Sequence, residues 1–468
     1  MPHLVLLERY SIVSMQEKHW TIINCVLIAL AGVVGFYMSN GVFAFGGNNR
    51  LLSVPETIIA SSILLLAFSA LIVINIIRNK YRPNWVLIGI LTLLFVMNTI
   101  NILCYKDGTT FSFTGVDNTV YSFPYLLNPD ARFTEIFAFL ATMGCALLIL
   151  DICYQVVDFK QFIKIVCFAA IGACTVLIII SYFMQGYKYF ILYKHLFDNE
   201  LYHCSIQSVF ATKNAYAAVL IIGFLASIIL HSQYRKWWYL AIGGYMFINI
   251  VHTICKAVII LSLIIAVAYL IYIFITTYKE HKKMNLIALA AIGGTILVVI
   301  LGLFIFLAAT KHLNGFFRTI FYSKGVDTFQ TRVYIWKKSI DIISEFNWFT
   351  GCGHILFGRI LHEYNILDTA TGEVVARYSA HSGYLQYIGE GGIIYLLIIL
   401  ALIGFVIYLG IKNYKKDKPM MFISLMTVIC FAIYMPIESA SIFIASGMEF
   451  GVISMLAISP ILFVSRQK

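Results

Sequence analysis

The sequence predicts an all-α polytopic membrane protein with about twelve transmembrane helices and one large external loop. Three observations carry this reading. Hydrophobic residues make up 61% of the 468-residue chain and charged residues only 12%, roughly half the charge of a soluble domain. Apolar runs of about 20 residues, the length that spans a bilayer, recur along the chain. Short loops rich in Lys and Arg alternate with longer loops of nearly balanced charge, the pattern of positive-inside topology.

The runs fall at 20–43, 56–77, 85–104, 133–157, 162–184, 209–230, 237–255, 257–277, 285–309, 393–411, 420–438 and 441–464. Met1 to Lys18 is mixed and charged with no small-residue cleavage pattern after it, so the first run reads as a signal anchor. One set of alternate loops carries Arg78, Lys80 and Arg82, then Lys160 and Lys164, then Arg235 and Lys236. It continues with Lys279, Lys282 and Lys283, with Lys412, Lys415, Lys416 and Lys418, and with Arg466 and Lys468. These loops and both termini are expected in the cytoplasm. The opposite set, 105–132, 185–208, the corner 255–256 and the long 310–382, faces the periplasm or exterior. The organisation is helices 1–9 within 1–309, an external loop at 310–382 and helices 10–12 within 383–468.

The net charge of +11 is therefore loop charge rather than a nucleic-acid surface. The ten cysteines lack C-x-x-C spacing and lie mostly in apolar runs, which argues for packing rather than a disulfide framework or metal cluster. No internal repeat stands out, and the two halves lack the matched broken helices of a secondary transporter.

Within the large loop, Thr331 to Ser344 reads as an interfacial amphipathic helix with Thr331 near its N-cap. At about 100° per residue, Val333, Ile335, Trp336, Ile340, Ile342 and Ile343 share one face. Tyr334, Lys337, Lys338 and Asp341 share the other. Arg332 interrupts the apolar face, either snorkelling to water or held there to bind an anion. Gly351-Cys-Gly353-His354 follows as a turn, then Ile366 to Glu373 as a hairpin or flap turning at Thr371-Gly372. The stretch Ser379-Ala-His381-Ser-Gly-Tyr384 then leads through Gly389-Glu390-Gly391-Gly392 into an apolar run, which sets His381 where water meets lipid.

These motifs, in this order, resemble the O-antigen ligase and polysaccharide polymerase family. The similarity lies in Thr331-Arg332 with Trp336, Phe349-Thr-Gly351-Cys-Gly353, Ala380-His381-Ser-Gly-Tyr384-Leu385 and Gly389-Glu390-Gly391-Gly392. It extends to Phe210-Ala-Thr-Lys213-Asn214-Ala-Tyr-Ala217 and the corner His252-Thr-Ile-Cys-Lys256-Ala257, so it covers about residues 205–410. Lys256 stands where the family usually has arginine, which keeps the charge but not the bidentate fork. Ser382 stands where asparagine usually follows the histidine.

The resemblance implies a GT-C-like, inverting glycosyltransferase with no metal and no other cofactor. Its donor would be an undecaprenyl-diphosphate-linked glycan, and its acceptor another lipid-linked glycan or lipid A core. A chain-length regulator and a flippase would be further partners, with the active site outside the bacterial cytoplasmic membrane. The expected product is O-antigen, capsule or exopolysaccharide.

The residues suit that chemistry. A departing diphosphate carries charge that preorganised cations stabilise best in a dry site, and Lys256 and Arg332 are suitable; for Lys256 interfacial snorkelling is the alternative. His381 has a pKa suited to a general base on the acceptor hydroxyl, or it hydrogen-bonds the diphosphate. Lys213 offers a phosphate contact, Asn214 a sugar contact and Arg377 a weaker cation. Glu390 pairs with a cation, accepts a sugar hydroxyl or caps the next helix. Aromatics such as Tyr187, Tyr189 and Tyr193 stack on sugars or form an interfacial belt. Attachment of finished polymer to lipid A core is the alternative within the class. A flippase is the alternative outside it, disfavoured because its charges should line both halves at mid-membrane depth.

Overall fold

The computed structural model describes residues 19–31, 34, 54–103, 109–114, 120–125, 129–195, 205–210, 213–280, 325–353, 356–363, 366–367, 374–375, 380–436 and 448–467. The expected run at 285–309, the candidate Arg377 and His354 lie outside them. The helices are α1 (His19–Ala31), α2 (Val54–Ile77), α3 (Trp85–Leu103), α4 (Pro129–Leu147), α5 (Phe159–His195), α6 (Lys213–Tyr234), α7 (Trp238–His252) and α8 (Lys256–Glu280). After them come α9 (Gly325–Phe346), α10 (Leu356–Glu363), α11 (Gly383–Lys412), α12 (Lys418–Tyr434), α13 (Met448–Ala457) and α14 (Ser459–Arg466). Among the described residues six helices are long and apolar enough to cross a membrane. They are α2, α3, α5, α6, α8 and α11, each on an expected run.

Two short antiparallel hairpins join the helices. Thr109–Thr114 (β1) pairs with Val120–Tyr125 (β2), and Phe111 lies opposite Phe123. Ile366–Leu367 (β3) pairs with Val374–Val375 (β4), on either side of the expected turn at Thr371-Gly372.

The bundle is organised around α6. Of its apolar window 89% is buried, against 22–39% for the other five spans. Ala217, Ala218, Gly223, Ala226 and Ser227 are all buried, and small side chains let neighbouring backbones approach closely. Helices α5, α7, α8, α12 and α13 surround it. A second group, α1, α2 and α4, packs around Ile28, Leu64, Leu71 and Ile152. Helix α11 bridges the two groups through α3, α12 and α14.

The basic loops gather at one end. The Arg78 guanidinium lies 5.0 Å over the Trp20 ring and Lys164 lies 5.2 Å over Tyr234. Lys416 donates to the Gln467 carbonyl. The tie that closes this end is Asp151, which sits fully buried in a π-helical turn, Leu148–Ile152, at the end of α4. Its carboxylate accepts from Tyr81 Oη (2.8 Å), the Asn84 N–H (2.8 Å), Tyr154 Oη (2.9 Å), Gln155 Nε2 (3.0 Å) and Arg466 Nη2 (3.0 Å). Burial and the adjacent carboxylate hold the Tyr81 hydroxyl well above the usual tyrosine range.

Asp151 lies in the apolar run 133–157, and the structure makes it a latch on the C-terminal helix. Arg466 is 34% exposed and stays solvated without its partner. Removing the carboxylate, however, leaves the buried Tyr81 and Tyr154 hydroxyls without their acceptor, at about 1–3 kcal/mol for a buried group. Asp151→Ala is expected to lose most of that range, read as a large fall in the thermal unfolding temperature in detergent. An unchanged unfolding temperature would contradict the latch.

Candidate functional site

At the opposite end the loop elements build a cap. Helix α9 begins at Gly325, so Thr331 lies inside the helix and does not cap it. Ile335, Ser339, Ile342 and Ile343 are buried. They share a core with Cys352, Phe357, Ile360, Leu361 and Ala380. Ile340, expected on that face, is 39% exposed. Ser339 takes the interior position because its hydroxyl bonds the Ile335 carbonyl of its own helix at 2.8 Å, which satisfies it without water. Lys338 pairs with Asp341 at 3.5 Å on the outer face.

The cap is fastened to a broken helix. Helix α11 is interrupted at Gly392 (φ 76°, ψ −178°). There the Gly389 carbonyl accepts from the Cys352 N–H (2.7 Å) and the Glu390 carbonyl from the Gly353 N–H (2.7 Å). The Ile393 N–H donates to the Trp348 carbonyl at 2.7 Å. The Gly351–Gly353 turn thus supplies the partners that an unbroken helix would have made internally, and a break at membrane depth survives only when they are supplied. A Cβ at Gly392 would stand 2.0 Å from the Phe349 carbonyl oxygen. Asn101 ties α3 to the same turn by donating to the Thr350 carbonyl at 2.7 Å. Burial, with the Glu390 charge beside it, pushes the Cys352 thiol well above its usual range.

His381 stands at the start of α11. Its backbone is in the left-handed region (φ 48°), which costs a non-glycine residue about 1–3 kcal/mol and persists only where the surroundings impose it. They do so from every side. The His381 carbonyl accepts from Trp336 Nε1 of α9 at 3.4 Å. Ser382 caps the helix, its hydroxyl accepting from the Leu385 N–H at 3.4 Å. The Gly383 N–H donates to Met435 at 2.6 Å, and Tyr384 Oη to Ala432 at 2.7 Å, both carbonyls at the end of α12. Ser382, in place of the expected asparagine, therefore does a helix cap's work. Arg332 and His381 are both half-buried, and Arg332 lies one turn before Trp336. Trp336 thus ties the helix that carries Arg332 to the backbone of His381.

Lys213 and Lys256 form a second group. Lys213 opens α6 and Lys256 opens α8, close enough for the Lys256 charge to act on Lys213. Asn214 follows Lys213 and is half-buried. The corner before Lys256 is tight. Ile254 has φ 55°, a rare conformation for a β-branched residue. Thr253 Oγ1 accepts from the Cys255 N–H at 3.2 Å, and the His252 carbonyl accepts from the Ile206 N–H at 3.2 Å.

Beneath this corner lies a polar network that sequence patterning did not pick out. Ser181 Oγ sits 3.1 Å from both Tyr189 Oη and Tyr216 Oη, and Tyr189 Oη donates to Asn249 Oδ1 at 3.4 Å. All four residues are buried. Tyr189 can reach Ser181 because α5 kinks at Gln185 (φ −133°, ψ 21°). The Gln185 side chain accepts from the Gln207 and Ser208 N–H groups at 3.1 and 3.2 Å. Tyr189 therefore serves the packing and not a sugar platform, whereas Tyr187 remains 61% exposed. The readable signal was polar spacing: Asn249 and His252 lie three apart within an apolar run.

The two groups stand at ends of helices that share α12, which packs against α11 on one side and α6 and α8 on the other. Glu390 is buried and turned to Gln386 Nε2 at 2.8 Å. Among the described residues no three His, Cys, Asp or Glu side chains converge as a metal-ligand set.

Residues 241–400 match the family model described as O-antigen ligase. The match runs from α7 through the cap to the middle of α11. It contains Lys256, Arg332, Arg377, His381 and Glu390, and leaves Lys213 and Asn214 outside. No curated protein matches the chain.

Proposed function

We propose that this chain, whose residues 241–400 form an O-antigen ligase family domain, is a membrane glycosyltransferase that polymerises undecaprenyl-diphosphate-linked repeat units. The observation that carries the reading is the junction of Arg332, Trp336 and His381 over the broken helix. That junction ties the helix carrying Arg332 to the backbone of His381, at the end of the bundle away from the basic loops. By the positive-inside rule the basic end is cytoplasmic, so the site faces outward, where lipid-linked repeats await transfer.

In this reading Arg332 and Lys256 hold the donor diphosphate, with Lys213 as a further phosphate contact and Asn214 at the sugar. Arg377 is a lesser candidate. The acceptor hydroxyl attacks the anomeric carbon from the face opposite the leaving group. The bond from that carbon to the diphosphate oxygen breaks, and the configuration inverts. The hydroxyl proton passes to His381, while the cations stabilise the charge developing on the departing diphosphate.

The second reading, transfer of finished polymer to lipid A core, is favoured by the description of the matching family model. Purified protein given undecaprenyl-diphosphate repeat units alone separates the two. Polymer without lipid A supports the polymerase, and no reaction until lipid A core is added supports the ligase. Lys256→Arg is expected to retain transfer and Lys256→Ala to lose it, read on glycan ladders. Loss in Lys256→Arg would show that Lys256 does not serve as a simple cation.

A further inference from the structure

The loop carrying His381 is also held from inside α11. The Ala380 N–H donates to Gln386 Oε1 at 3.1 Å, and Gln386 Nε2 donates to Glu390 Oε1 at 2.8 Å. Gln386 and Glu390 lie one turn apart, and Glu390 one turn after Gln386 reaches the break at Gly391-Gly392. Ala380 is fully buried, so its N–H has no water to replace a lost partner.

The chemistry of the chain of contacts is directional. A backbone N–H only donates and a carboxylate only accepts, so the side chain between them must present one acceptor and one donor. A glutamine amide does this in one orientation. Glu390 fixes that orientation by taking the NH2 group, which leaves the carbonyl oxygen for Ala380. The Glu390 main chain is fixed in turn, because its carbonyl accepts from the Gly353 N–H.

From this geometry we infer that Gln386 and Glu390 are positioning residues that set the backbone on which His381 is presented. The chain runs from the Gly351–Gly353 turn through Glu390 and Gln386 to Ala380, the residue before the left-handed His381. Trp336 secures the other side of the same residue. The inference rests on the glycosyl-transfer reading of His381 for its functional consequence, but not for its geometry. It gives Glu390 a role that needs no contact with the substrate.

The test is a reciprocal exchange. Gln386→Glu sets a carboxylate against Glu390 and breaks the relay. Gln386→Glu combined with Glu390→Gln restores it, because position 386 can still accept from Ala380 while the new amide at 390 donates back. Two quantities are read on full-length protein in detergent: transfer kinetics, and the diethyl pyrocarbonate acylation rate of each histidine mapped by mass spectrometry.

For Gln386→Glu, kcat should fall about 100-fold, the scale of a small misplacement of a reacting group, with KM for the donor unchanged. Acylation of His381 should speed up while His231 and His252 keep their rates. The exchange should return both readings toward the parent. Unaltered His381 acylation in Gln386→Glu, or an exchange that folds with the parent's unfolding temperature but restores neither reading, overturns the relay. Restored acylation without any change in transfer keeps the relay and overturns the reaction assigned to His381. If Gln386→Glu does not accumulate in the membrane, Glu390→Gln decides alone. Its amide oxygen still accepts from Gln386, so near-parental transfer supports positioning, and loss in a folded protein overturns it.

Discussion

His381→Ala is expected to reduce glycan transfer by about 10²–10⁴-fold, the range supplied by a positioned acid–base group, while the protein still inserts. The backbone around residue 381 is held by Trp336 Nε1, Gly383 and the Ser382 cap, none of which needs the imidazole. The loss should therefore fall on kcat and leave the unfolding temperature close to the parent. Arg332→Ala should cost about 10²–10³-fold by removing a preorganised charge from the departing diphosphate. It leaves the buried residues Ile335, Ile342 and Ile343 of α9 in place. Glycan ladders from cells and single-turnover rates on purified protein check both. Normal ladders from the two variants would remove the catalytic role from this junction.

The second large effect is on assembly. Gly392→Ala should prevent the cap from docking, because its Cβ would fall 2.0 Å from the Phe349 carbonyl oxygen and 2.4 Å from the Thr350 amide nitrogen. Both obstacles are backbone, so no side-chain rotation relieves them. The positive φ at Gly392 adds strain for any L side chain. Displacing the Gly351–Gly353 turn would leave the Gly389 and Glu390 carbonyls unpaired, at about 1–3 kcal/mol each for a buried group. The expected outcome is protease sensitivity within the cap with little mature protein in the membrane. Wild-type protease resistance would show that the turn and the helix break are not interdependent.

Much of this was legible in the sequence because a bilayer-spanning helix needs little more than length and apolarity. The runs at 56–77, 85–104 and 257–277 coincide with α2, α3 and the apolar part of α8. Hydropathy did not reveal that α11 begins at Gly383, because the turns before Gly392 carry Gln386 and Glu390. Nor did it reveal that Gly392 breaks a helix already under way. The angular pattern placed Ile340 on the buried face of α9, but a hydroxyl can replace an isoleucine inside when it bonds its own helix, as Ser339 does. Within the external loop 105–132, the alternation of Phe with Thr and Ser in Thr109–Thr114 suits a pleated strand. The long-range partners of Asp151 and Tyr189, Tyr81 and Arg466 for the one and Asn249 for the other, have no local signature, since each comes from another segment.

For the candidate site the residue types were readable and their grouping was not. Arg332 stands out in the sequence as a charge on an apolar face and His381 as a residue at a helix start. The indole of Trp336 ties the helix of Arg332 to the His381 backbone, a contact that neither residue announces. Lys213 and Lys256 are 43 residues apart in sequence, as their numbers show, and lie within reach of each other's charge because α6 and α8 both start at the same end of the bundle.

The most direct test of the central claim follows bond breakage. Purified protein in liposomes is given undecaprenyl-diphosphate repeat units, with acceptor, and free undecaprenyl diphosphate is measured alongside new glycosidic bonds. One diphosphate carrier released for each bond formed, with the anomeric configuration inverted, is the predicted result. Movement of intact lipid-linked glycan across the bilayer, with no carrier released, would contradict it.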